Sequence, residues 1–139
     1  MTFNNVLFSF IFLFGVAVLG GCTELDKDTA TVPDGSVPAI QLQAPSDNSI
    51  FASGNTISIK SVISDKDKIK EMEVQVVKVS QGSTSEAIWG YKKYPTTNPV
   101  VVDTIMNTTG FTSGHYMVRF NLVDNRTNVG VKEVHFLIR

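Results

Sequence analysis

The chain has 139 residues, 42% hydrophobic and 18% charged, with a formal net charge of −1. That length fits one domain, and the charge balance gives no electrostatic basis for binding nucleic acid or a polybasic attachment to lipid. A single cysteine, Cys22, excludes an internal disulfide, so a folded domain must be held by its core alone.

Met1 to Gly21 contains no Asp, Glu, Lys or Arg. Within it, Val6 to Gly20 is an apolar run whose one polar side chain is Ser9. A spanning helix needs roughly 20 such residues, and this shorter run suits the hydrophobic region of a signal peptide. The residues before it, Met1 to Asn5, lack the usual Lys or Arg. The run ends in Leu19-Gly20-Gly21-Cys22, which resembles the bacterial lipobox: an aliphatic residue, two small residues and the cysteine that becomes the mature N-terminus. The resemblance implies cleavage before Cys22 and a covalent lipid with fatty acyl (palmitate-type) chains on its thiol. Each buried methylene contributes about 0.8 kcal/mol, so one chain holds marginally and two or three hold firmly. In lipoproteins of this kind, Thr23 rather than Asp after the cysteine points to the outer membrane. Glu24 to Asp28 resembles acidic surface-export signals and equally fits a solvated linker.

Residues 22 to 38 read as a lipid-anchored tether rich in Asp, Thr and Pro, without periodicity. As a coil it spans roughly 20 Å. Asp28-Thr29-Ala30 and Asp103-Thr104-Ile105 fit a short acceptor pattern for bacterial O-glycosylation.

From Ala39 to Arg139 the chain is a series of short alternating runs, with no sustained helical period. Ala39 to Ala44 alternates, with Ile40 and Leu42 on one face. Pro45 to Ser49 is turn chemistry. Thr56 to Ile63 is a second strand with Ile57 and Ile59 inward, and Ser64 to Lys68 is a polar loop. Ile69 to Val79 alternates Met72, Val74 and Val76 against Glu71, Glu73 and Gln75. After the loop Ser80 to Ser85, Glu86 to Tyr94 reads as a short edge strand, and Val100 to Met106 is a strand rich in β-branched residues. Tyr116, Val118, Phe120 and Leu122 alternate with Met117, Arg119 and Asn121, and Val134, Phe136 and Ile138 with His135, Leu137 and Arg139. The short polar turn between them, Asp124 to Asn128, predicts a β-hairpin. The phase change between Val131 and Val134 predicts a bulge near Lys132.

About seven strands at this spacing predict an all-β sandwich. Gly114-His115-Tyr116-Met117-Val118-Arg119-Phe120-Asn121-Leu122-Val123-Asp124-Asn125 resembles the penultimate strand of bacterial immunoglobulin-like (Ig-like) and cadherin-like domains. By that resemblance Tyr116 takes the tyrosine-corner position, its ring buried and its hydroxyl bonded to nearby backbone. The Ser64 to Asp67 loop resembles the connection between the second and third strands of such domains. Overall the chain resembles small Gram-negative lipoproteins carrying a single bacterial Ig-like domain.

Fold does not fix function, so the sites are read separately. Trp89, Tyr91 and Tyr94 with Lys92 and Lys93 form an aromatic and basic cluster suited to a protein or a sugar ring. The alternative is an edge strand whose rings cover the core and whose lysines discourage aggregation. Asp65, Asp67, Asp124 and Asn125 are weak calcium candidates in two loops expected at one end, with Lys66 and Lys68 counting against an ion. His115 and His135 fall on outward positions and make a poor zinc set. No nucleophile-elbow or phosphate-loop pattern occurs, so no enzyme is expected, and no cofactor beyond the lipid on Cys22. The expected role is a binding or assembly module of the outer membrane or cell surface. Its partner would be a protein, or alternatively a glycan, with a purely structural envelope role as the third option.

Overall fold

The computed structural model describes residues 32–80 and 86–139, and these form a sandwich of two β-sheets. The strands are β1 (Ala39–Ala44), β2 (Ser49–Phe51), β3 (Thr56–Ser64), β4 (Ile69–Lys78), β5 (Glu86–Lys93), β6 (Val100–Asn107), β7 (Gly114–Asp124) and β8 (Val129–Ile138). One sheet has the order β1-β3-β6 and the other β2-β8-β7-β4-β5. Neighbours pair antiparallel, except that β2 runs parallel to β8. The segment Ala39–Phe51 thus begins on the edge of one sheet and ends on the edge of the other. This is the architecture of an immunoglobulin-like sandwich.

The alternation of each strand explains its burial. In β3, Ile57, Ile59, Ser61 and Ile63 are buried while their neighbours are not. In β4, β7 and β8, Met72, Val74, Val76, Val118, Phe120, Leu122, Phe136 and Ile138 join the same core. Each such side chain contributes about 1.5–3 kcal/mol of burial. Tyr116 is 1% exposed, and its hydroxyl donates to the Thr112 carbonyl at 2.6 Å. Its ring stacks on Phe136 and Phe111 with centroids 5.6 Å and 5.5 Å away. The tyrosine-corner expectation holds.

Two readings of the chain need correction. The three-residue β2 lies in a stretch assigned no strand, because it is too short to show a period. The bulge expected near Lys132 does not form: β7 and β8 stay in continuous register from Gly114↔Ile138 to Val123↔Val129. Instead Val129 and Val131 point outward, both 56% exposed, and the inward position between them is Gly130. The buried Pro38 fills that space, and a Cβ on Gly130 would lie 2.9 Å from the Pro38 carbonyl oxygen. The register shifts fall in β1, between Leu42 and Ala44, and in β4, between Ile69 and Glu71 and between Val76 and Val77.

Candidate functional site

At one end of the sandwich, the β3–β4 loop meets the β7–β8 turn. Here the fold brings together Asp65, Asp67 and Asp124, with a carboxylate oxygen from each lying within 4.8 Å of the others. Asn125, grouped with these residues in the sequence, follows Asp124 in the same turn, and its backbone amide donates to the Lys68 carbonyl at 3.2 Å. Asp124 is fully buried and spends both oxygens on Asn128, taking its backbone N–H and its Nδ2 at 2.8 Å each. Asp65 Oδ1 accepts the Asp67 backbone N–H at 2.8 Å, and Asn98 brackets the Asp65 backbone from both sides. Asp67 faces Arg126 Nε at 3.1 Å.

Asp34 enters the same cluster. It pairs with Lys66 and lies 3.7 Å from Arg126 Nε. It also accepts from Asn128 Nδ2 at 3.0 Å, while the Gly35 N–H donates to Asn128 Oδ1 at 3.2 Å. The Lys66 ammonium foremost, then the Ser36 N–H, holds the Asp34 carboxyl well below the usual carboxylate range. The same contacts raise Lys66 and Arg126 above their ordinary values: Asp34 acts first on Lys66, and Asp67 first on Arg126. The carboxylates are therefore interleaved with cations of the chain itself. Hard divalent ions require oxygen ligands that are free to converge, and both Asp124 oxygens are already taken by Asn128.

The aromatic and basic cluster divides between two faces. Trp89 and Tyr91 lie opposite Val76 and Val74 and pack against the core, edge to face with centroids 5.6 Å apart. Burial pushes the Tyr91 phenol above its ordinary pKa. Lys93 Nζ sits 5.0 Å from the Tyr91 ring centre. Lys92 points away and binds Glu71 at 2.8 Å, which raises its pKa. Tyr94 is 68% exposed. The β5 rings thus cover the open side of the sandwich, as the edge-strand alternative expected.

Alongside them lies a groove of about 510 Å³ between the edge strands β5 and β6. Tyr91, Lys93, Tyr94, Thr96, Val101 and Asp103 line it. The sequence contained these residues, but their meeting depends on which strands form the sheet edges. Val101 and Ile105 project outward from β6, at 69% and 68% exposure. Cys22 and the Asp28-Thr29-Ala30 pattern lie outside the described residues.

Residues 38–106, from Pro38 through β6, match the family model of a bacterial Ig domain. Over that span the chain is similar to a bacterial Ig domain, and its fold is Ig-like. In the structure this Ig-like domain continues past the matched span, because β7 and β8 supply the centre of its larger sheet. Among solved structures it resembles the fibronectin(III)-like modules of CbhA from Clostridium thermocellum at 17% identity and a TM-score of 0.46. That likeness covers 75% of this chain and 47% of that one, so the chain spans about half of the module structure. Two variants of superoxide reductase (neelaredoxin) from Ignicoccus hospitalis reach a TM-score of 0.50 at 10% and 11% identity, covering 75% and 81% of this chain and 81% and 84% of theirs. At such identities the likeness is one of fold. No curated protein matches the chain.

Proposed function

We propose that this Ig-like domain is a non-enzymatic binding module, lipid-anchored through Cys22 at the outer membrane or cell surface, which takes a protein partner along its β5–β6 side. The observation that carries the reading is the groove of about 510 Å³ between two unpaired strand edges. An extended segment can add to an open sheet edge through backbone hydrogen bonds while nearby pockets read its side chains. The exposed Tyr94, Val101 and Ile105 supply apolar contact beside those edges. A glycan reading centred on Trp89 and Tyr91 is disfavoured, because both rings are half-buried, packed against the core and edge to face with each other. The anchoring part rests on the Leu19-Gly20-Gly21-Cys22 pattern.

Two measurements test the two parts. Intact mass of the membrane-extracted chain should start at Cys22 with added acyl mass, and Cys22→Ala should lose both features. An unprocessed wild-type chain would remove the anchor. For the groove, a photo-crosslinking residue at Tyr94 or Val101 should give a discrete protein adduct in intact cells, and one at Glu133 should not. Adducts absent at both groove positions would reject the β5–β6 side as the binding surface.

A further inference from the structure

The outer face of the larger sheet carries a group that the binding reading does not use. His115 and Met117 are two residues apart on β7, so both side chains leave the same face about 6.6 Å apart along the strand. Their neighbours Tyr116 and Val118 belong to the core, which fixes that face as the outer one. Met117 lies directly opposite His135 on β8. Opposed residues on one face hold their Cβ atoms about 4.5–5.5 Å apart. The two imidazoles come together with ring centroids 4.9 Å apart and planes tilted by 39°. His115 is exposed, His135 is half-buried, and Met117 is 5% exposed without belonging to the core cluster. His135 Nδ1 is enclosed and has no hydrogen-bond partner. An enclosed ring nitrogen without a partner calls for an explanation.

We propose that His115, His135 and Met117 form a copper site. The spacing of the rings fits one shared ion. With each ring directing a nitrogen at the ion through a bond of about 2.0–2.1 Å, each ring centre would lie roughly 3.2 Å from it, and a 4.9 Å separation would correspond to a nitrogen–metal–nitrogen angle of about 100°. That angle suits a tetrahedral or trigonal site. The ligand types choose the metal: imidazole accepts several first-row ions, a thioether selects monovalent copper, and divalent copper binds nitrogen ligands more tightly than zinc does. The site stands apart from the carboxylate cluster, which is interleaved with Lys66 and Arg126. The Asp47 carboxylate steadies the second histidine by accepting the His135 backbone N–H at 3.0 Å. The outward face leaves further coordination positions open to solvent or to a partner's side chain.

The test uses the full chain in detergent with Cys22→Ala, so that no thiol competes for the metal. Copper(I) affinity is read by competition with a coloured chelator, and copper(II) by electron paramagnetic resonance. The expected result is one copper per chain, with imidazole-nitrogen hyperfine structure. His115→Ala and His135→Ala should each weaken copper at least tenfold and remove that structure. Met117→Leu conserves volume, so it should keep the fold while weakening copper(I) more than copper(II). Thermal unfolding without metal checks that all three variants are folded. The proposal is overturned if the chain takes up no copper at equivalence, if binding survives the histidine substitutions, or if Asp65→Asn removes it instead.

Discussion

Asp34 shows how one side chain converts a polar segment into part of the domain. It lies in the stretch that reads as tether, yet it contacts Lys66, Arg126, Asn128 and Ser36. No local pattern could have revealed this, because its partners lie in two loops distant in sequence. Its pH behaviour follows from the sign of its shift. The folded carboxyl titrates below the ordinary 3.8, so the clasp contributes fully above that value and is lost as pH falls through the lower, folded value. We expect the amide resonances of Gly35 and Ser36 to hold their neutral-pH positions through pH 4 and to move with a midpoint below 3.8. Asp34→Asn should show the shifted positions already at neutral pH. A wild-type midpoint at or above 3.8 would mean that the ion pairs with Lys66 and Arg126 do not persist in solution.

At the scale of elements, strands long enough to alternate were legible and the rest were not. β3, β4 and β7 each place three or more apolar residues on one parity, so their inner faces could be read directly. β2 is too short for that, and β8 misleads because Val129 and Val131 lie on its outer face. The site was legible in a similar way. The two acidic loops meet because a β-sandwich returns its chain to the same end. The β5 cluster divides because residues 89 and 91 share one parity and Lys92 the other, a signal present in the alternation itself. Two glycines separate strand pairing from strap packing. A Cβ on Gly90 would lie 2.6 Å from the Val74 carbonyl oxygen and 3.2 Å from Gln75 Cα, so β5 itself must move off β4. Gly90→Ala should therefore destabilise the whole domain, by about 1–3 kcal/mol in a denaturant titration. For Gly130→Ala the nearest atoms all belong to Pro38, so the change should expose the Gly35 and Ser36 amides to hydrogen exchange at smaller global cost. Equal losses of global stability would show that Pro38 is as integral to the fold as β5.

For the whole molecule, the clasp at Asp34 would set which end of the domain lies nearest the proposed lipid on Cys22. Asp34 and Pro38, near the start of the described residues, lie beside the β7–β8 turn and the β3–β4 loop. β7 runs away from that turn for 11 residues, about 34 Å at the rise of an antiparallel strand. The far end carries the β6–β7 connection, where Thr108 bonds to the Asn55 carbonyl and Phe111 to Ser53. With lipid on Cys22, only residues 23–33 separate the anchor from the clasp, so the turn end should face the bilayer while the far end projects away from it. Fluorophores at Asn125→Cys and Thr109→Cys in the lipidated chain measure this against a quencher fixed on lipid headgroups. Quenching should be stronger at position 125, and Asp34→Ala should narrow the difference by adding residues 34–38 to the slack. Equal quenching at both positions in the otherwise unaltered chain would mean that the clasp does not orient the domain. The β5–β6 groove would then be presented in every direction rather than along the side of an upright module.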